Sequence, residues 1–262
     1  MNAKQQRYYK VLNADGSAPY GDEQFVFSLP SADSLGDWHE LTKPLIFNDT
    51  GFHLTQTPRR WAFPGMRVFE VEYENAISEK HGDDDDEICV AKVRLTKEVL
   101  GEELEALNIY SSGHHRIMDG IGYAYNDAII SAFGRSFVEA EERARVVASG
   151  FSVVLAYNET QVKASGNCRI EAFDNSIVIA EGQCRVICAN NAKVKVYGKT
   201  IVEASEDSDV EAFQSCIVFK DIASNVRITL HDKALCLESG VITCVIGSGY
   251  TVRENTSGRE NG

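Results

Sequence analysis

The sequence predicts an α+β amino-terminal domain followed by an all-β solenoid, a β-helix of about 16 residues per coil. Three observations predict it. A Val or Ile recurs every eight residues from Ile130 onward, the place two residues later is nearly always Ala, and neither pattern occurs before residue 125. The domains are accordingly 1–125, the α+β module; 126–250, the solenoid with a carboxy-terminal cap; and 251–262, a disordered polar tail.

Written in eights from Ala128, the chain puts Ile130, Val138, Val146, Val154, Val162 and Ile170 in the third place, and the series runs on to Val226. The fifth place holds Ala132, Ala140, Ala148, Ala156 and their successors, with Cys188, Val196, Lys220, Ile228 and Cys236 as variants. The first place is Ala, Ser, Thr or Cys. Side chains alternate across a strand, so places one, three and five share one face. Places two and four are mostly polar, as in Glu139, Lys163, Arg169 and Glu171, and suit a solvated outer face. Places six to eight collect Gly134, Gly150, Asn158, Gly166 and Asp174, residues that accept the left-handed backbone of tight corners. A helix needs a 3.6-residue period, which a single β-branched column does not supply.

One buried valine stabilises by roughly 1.5–3 kcal/mol, whereas ordering each residue costs on the order of 1–2 kcal/mol. No eight-residue unit folds alone; neighbours must supply the ladder hydrogen bonds and the other wall of the core. Small inward residues favour a flattened coil of two facing strands over a triangular one of about 24 residues, which stays open as an alternative. In the flattened coil Cys168, Cys184 and Cys216 stack in one column.

A longer repeat overlies the first. Phe133, Glu141, Arg145, Tyr157, Ser165 and Glu171 recur forty residues on as Phe173, Glu181, Arg185, Tyr197, Ser205 and Glu211. Duplication of a five-unit block explains the recurrence, although forty is a whole number of turns in neither coil. After Lys233 the pattern gives way to a more hydrophobic stretch, read as a cap over an open strand edge.

The amino-terminal module carries 12 Lys and Arg against 21 Asp and Glu. Its expected strands are 7–12, 24–27, 51–55, 67–74 and 87–95, the last two alternating as Phe69, Val71, Tyr73 and as Cys89, Ala91, Val93, Leu95. Thr57-Pro58 is expected to cap a short helix ending at Pro64-Gly65. Thr96 is expected to cap a helix to about Ile109, with Leu100, Leu104 and Leu107 facing inward.

The formal charge of −13 and pI of 4.9 argue against direct binding to nucleic acid or to an anionic membrane, and favour basic protein partners. Neither a signal-peptide core near Met1 nor a membrane span is expected, which points to the cytoplasm. None of the seven cysteines forms a C-x-x-C pair, and Cys168, Cys184, Cys188, Cys216 and Cys236 fall at inward places, as small hydrophobes would. The acidic run Asp83–Glu87 lacks the Gly and spaced ligands of an EF-hand, and the adjacent His114 and His115 diverge on any regular element, so no metal site is assigned. No P-loop, G-x-S-x-G, H-E-x-x-H or dinucleotide fingerprint is present, so no catalytic residue and no cofactor is assigned.

The most distinctive segment is Gly51-Phe52-His53-Leu54-Thr55 followed by Pro58-Arg59-Arg60-Trp61. On these residues the chain resembles a phage and prophage protein family in which a Gly-aromatic-His-Leu strand module is fused to variable arrays of Ser/Ala/Val repeats. The same segment resembles the opening of ADP-ribosyltransferase-like folds, which implies that His53 binds a nicotinamide ribose, Thr55 assists and Arg59 meets a phosphate. The glutamate such an enzyme needs is not placed by the sequence: Glu70, Glu72 and Glu74 lie in the wrong part of the order. The alternative is that His53 and Trp61 pack the domain core.

Three functions follow as expectations. The first is a non-enzymatic interaction or scaffolding protein whose partner is a protein, with Phe133, Tyr157, Phe173, Tyr197, Phe213 and Trp61 as anchors. The phage-like resemblance makes its concrete form an inhibitor of a host defence or nucleic-acid-handling complex. The second is the nucleotide-binding enzyme just described. The third is a homo-oligomer resembling bactofilins, β-helices that join end to end.

Overall fold

The structure, a computed structural model, describes residues 7–19, 25–46, 50–77, 86–221, 224–238, 241–244 and 247–252, the last two stretches by backbone alone. It forms two compact units, Met1–Ile109 and Tyr110–Gly262.

The first unit is a small closed sheet. Its strands are β1 (Tyr9–Leu12), β2 (His39–Glu40), β3 (Phe52–Thr55), β4 (Arg67–Ile77) and β5 (Glu87–Glu98). They pair in the order β2-β5-β3-β1-β4, and β4 returns to pair with β5, so four of them close into a ring. Leu12, Leu54, Phe69, Val90, Val93 and Leu95 fill its interior. The Arg67 guanidinium grips both oxygens of Glu98, at 2.8 and 2.6 Å, and ties the far ends of β4 and β5 together. Lys92 and Arg94 each lie 4.7 Å from the Trp38 ring while pairing with Glu74 and Glu72 across the ladder.

Little of this unit is helical, which corrects the α+β expectation. The helix foreseen from Thr96 is instead strand: Lys97 and Glu98 pair with Glu70 and Phe69, and the sheet ladder outcompetes the cap signal. What remains is α1 (Glu102–Glu105), begun by Gly101 at φ 53° and followed by Asn108 at φ 63°. Leu100 is 61% exposed rather than inward, whereas Leu104 and Leu107 are half-buried. The short helix after Thr57 is a single 3₁₀ turn, Pro58–Arg60, and Thr57 gives no side-chain cap. Thr55 does that work from the strand end: its Oγ1 accepts from the Thr57 N–H at 2.9 Å. The acidic run lies largely outside the described residues; within them Asp86 pairs with Arg60 at 3.6 Å and Glu87 opens β5.

The second unit is a β-solenoid of about eight turns, about 16 residues per turn, spanning residues ~109 to 238. Up to Leu235–Glu238, successive strands alternate between a ten-stranded and a nine-stranded sheet. Between coils the pairing within each sheet is parallel and offset by one coil, as in Val138↔Val154 and Val162↔Val178. The third-place series Ile130, Val138, Val154, Ile170, Val186, Val202 and Val210 is fully buried, as are the alanines of the fifth place.

The first place does more than stay small. Ser152, Thr200 and Ser208 donate their hydroxyls to the carbonyls of Ser149, Tyr197 and Ser205 at 2.8, 2.9 and 2.8 Å, and Cys168 and Cys184 direct their thiols the same way at 3.2 Å. Each thus gives a corner carbonyl a hydrogen-bond partner from within its own turn.

The rod begins before the octad does. The strands β6 (Ile109–Tyr110), β7 (His114–Met118) and β8 (Ile121–Ala124) already belong to the two sheets, ahead of β9 (Ile129–Phe133). Gly122 stands where a third-place valine belongs, because the Ile117 side chain occupies that space: a Cβ on Gly122 would meet Ile117 Cδ1 at 2.3 Å. The octad also slips near its end. Val210 pairs with Ile228 and Val218 with Cys236, an offset of eighteen rather than sixteen, so Ile228 and Cys236 take the third place. Val226, assigned to the third place by period alone, sits two residues early and is still buried.

The two corners of the coil differ. One is a column of glycines, Gly134, Gly150, Gly166, Gly182 and Gly198, all at positive φ. The other stacks Asn126, Glu142, Asn158, Asp174, Asn190 and Glu206, also at positive φ. On that second corner a carboxylate accepts from the backbone N–H one rung before it, Glu142 from Asn126 at 3.0 Å and Glu206 from Asn190 at 3.0 Å. Beyond the last parallel rungs, Val241–Cys244 and Gly247–Val252 pair antiparallel with Leu235–Glu238 and Arg227–Asp232, which ends the parallel ladder in both sheets. Among the described residues no helix is long and apolar enough to cross a membrane.

Candidate functional site

The ring of the first unit has a seam. β1 pairs with β4 through all four of its residues, but its registered pairing with β3 is the single pair Tyr9↔Thr55. A cavity of about 280 Å³ opens along this seam. Tyr9, Val11, Ala18, Pro19, Leu54 and Trp61 give it apolar walls, and Lys10, His53, Thr55 and Glu87 supply its polar groups.

Lys10 holds the seam together. Its ammonium donates to the His53 carbonyl at 3.0 Å and lies 5.5 Å from the centre of the Phe27 ring. Among the described residues no carboxylate pairs with it. Burial lowers its pKa from the usual 10.5 to about 8, against a smaller opposing effect from the nearby Cys89 thiol. Burial and Lys10 together hold His53 below the ordinary histidine pKa, and burial pushes Cys89 up. Lys10 therefore carries a free amine over an accessible pH range.

The cavity gathers three of the residues singled out from sequence, His53, Thr55 and Trp61. Arg59 is not among its lining residues; it sits in the 3₁₀ turn with its pKa lowered by burial and by Arg60. The cavity also includes Glu87, which faces Thr55 across the ladder. Sequence reasoning missed Lys10 and Glu87. An isolated lysine in a strand carries no motif, and Glu87 reads as the last residue of an acidic loop.

The corner aromatics of the rod are half-buried and stack on one another. Tyr157 lies over Phe173 with centroids 5.3 Å apart, and Tyr197 over Phe213 at 4.9 Å, each pair 15° from parallel. His231 extends the second stack at 4.2 Å and bonds Glu211 at 3.1 Å. Lys195 lies over Phe213 at 4.8 Å and pairs with Glu211 at 3.0 Å. Phe133 stands apart, 4.8 Å beneath the Arg116 guanidinium.

Tyr157 follows a strand of the ten-stranded sheet and Tyr197 a strand of the nine-stranded one, so the two stacks lie on opposite edges. Forty residues are two and a half coils of sixteen. In a two-sheet coil every half-turn offers an equivalent setting, which explains how a forty-residue block repeats without a whole number of turns.

His114 and His115 diverge: His114 bonds the Ser131 hydroxyl at 2.8 Å, while His115 bonds the Ser112 carbonyl at 2.7 Å and packs on Tyr110. Among the described residues no group of three potential metal ligands occurs. The described cysteines Cys89, Cys168, Cys184, Cys188, Cys216 and Cys236 are free and buried. No protein family, no curated protein and no solved structure matches this chain.

Proposed function

We propose that the chain is an interaction scaffold whose rod presents one recognition surface twice. The observation that carries this is the repeated outward set. The fold requires the inward column and the corners, but it does not require Tyr157-Phe173 on one edge and Tyr197-Phe213 on the other. Stacked, half-buried aromatics offer a partner apolar area that is already ordered, which lowers the entropy cost of binding. The charge of −13 favours a basic partner, of the kind that handles nucleic acid. An inhibitor of a host defence complex, in a phage setting, is the concrete form of this reading.

Affinity capture with crosslink mapping tests it. The wild type should retain a specific basic protein, and the double variant Phe173→Ser with Phe213→Ser should lose it while keeping its β spectrum. Recovery of chaperones alone, or capture indifferent to both edges, counts against the proposal. The nucleotide reading finds less support, since a cavity of about 280 Å³ without Arg59 suits a single small ring rather than a dinucleotide. Calorimetry with NAD and ADP-ribose, repeated on His53→Ala, decides it. The end-joined polymer would have to displace the antiparallel strands over the last rungs, and sedimentation over a range of concentrations checks this.

A further inference from the structure

We propose that the seam cavity of the first unit is a binding site for a small aldehyde or ketone with an apolar body, held covalently on the Lys10 amine as an imine. The proposal is independent of the interaction reading, which uses the rod.

The geometry supplies each requirement. Lys10 lines the cavity, and its nitrogen is held by one neutral carbonyl, that of His53, rather than by a carboxylate that would keep it an ammonium. A lysine desolvated in an apolar pocket is a recognised way to make an amine nucleophile near neutral pH. Tyr9, Val11, Leu54 and Trp61 give an aromatic or aliphatic body an apolar wall, and the volume limits it to roughly one ring. The titratable groups that act on the nitrogen are His53 on β3 and Cys89 on β5, and Glu87 on β5 lines the same cavity. An anionic ligand is disfavoured, because Glu87 shares the space and, among the described residues, Lys10 is the only Lys or Arg lining it.

The step balances without a further reactant. The Lys10 nitrogen, having lost its proton to solvent, donates its lone pair to the carbonyl carbon, and the C=O π pair moves onto oxygen. A proton passes from nitrogen to that oxygen to give a carbinolamine. Its hydroxyl then leaves as water, taking a proton from solvent, as the nitrogen lone pair forms C=N. Loss of the remaining N–H proton to solvent gives the neutral imine. No electron is gained or lost overall.

Reductive trapping tests it. The intact protein is treated with a low concentration of benzaldehyde and cyanoborohydride, and each lysine's adduct is quantified by peptide mass spectrometry. At pH 8 a lysine of pKa about 8 is roughly half free amine, against about 0.3% at the usual 10.5, and its lower basicity takes back about a factor of ten. Lys10 should therefore react about tenfold faster than the exposed Lys163 and Lys193, with a rate that is half-maximal near pH 8 and saturates with aldehyde. In Lys10→Arg the dominant adduct should vanish while its neighbours are unchanged. Labelling of Lys10 no faster than that of Lys163, or a rate still climbing through pH 10, overturns the proposal. Should Lys10→Arg not fold, the wild-type map alone decides.

Discussion

The glycine corner gives the sharpest forecast for Gly182→Ala. Gly182 sits at φ +92°, and a Cβ there would lie 2.9 Å from the Gly166 carbonyl oxygen and 3.1 Å from its nitrogen. Both are backbone atoms, so no side chain can swing aside. The same carbonyl accepts from the Gln183 N–H at 2.7 Å, and any movement that relieves the clash stretches that bond. The left-handed backbone costs an alanine about 1–2 kcal/mol, and the forced shift adds about 1–2 more. The stiffer unfolded chain returns about 0.4–1 kcal/mol, leaving a net loss of about 2–3 kcal/mol. Gly65 is the control, at φ +84° with open space where its Cβ would be, so Gly65→Ala should cost about 1 kcal/mol or less. Urea denaturation followed by far-ultraviolet circular dichroism reads both. A loss at Gly182 within about 0.5 kcal/mol of that at Gly65 would refute the stacked-corner reasoning.

Two further outcomes follow from charge. The Lys220 side chain, 2% exposed, occupies a fifth place and meets Glu238 at 2.6 Å. Removing the acid strands a buried ammonium, so Glu238→Ala should cost about 2–4 kcal/mol, whereas Lys220→Met should stay within about 1 kcal/mol of wild type in the same urea titration. In the first unit His39 Nε2 accepts from the Ser28 N–H at 2.9 Å, and burial lowers the pKa of both His39 and His53 below 6.5. The unfolded chain then takes up protons first, so stability is full above pH 6.5 and falls as the pH drops below it. Both rings are partly solvated, so screening keeps each slope below the roughly 1.4 kcal/mol per pH unit of a whole proton. Urea midpoints of the first unit at pH 7.5 and 5.5 should differ, and His39→Gln should shrink the difference; an unchanged midpoint contradicts the burial argument.

The rod was legible in the sequence because its signal is one-dimensional. Val138, Val154 and Ile170 repeat at fixed spacing since each meets the same kind of neighbour one coil away. Where the neighbour changes, the pattern fails. Gly122 gives no periodic sign because Ile117 fills its place from another strand, and the slip after Lys220 keeps a hydrophobe, Val226, at the expected number though not in the expected column. The forty-residue repeat was visible, but its compatibility with half-turns needed the two-sheet coil. In the first unit the strands β4 and β5 announced themselves by alternation, yet β5 ran on through Thr96 because β4 was there to pair with it. The seam that makes the cavity is a place where pairing stops, and Lys10 is legible only once the strand it fails to ladder with is known.

The central claim is that residues sixteen apart stand directly above one another. Gln161 pairs with Ile177 and Ile177 with Lys193 on one outer sheet face, so Gln161 and Lys193 are both exposed and two rungs apart. Spin labels on Gln161→Cys and Lys193→Cys, measured by dipolar broadening in electron paramagnetic resonance, should report a backbone separation of about 10 Å. Labels too far apart to broaden each other's spectra, as a coil of about 24 residues would produce by pointing them away from two different faces, contradict it.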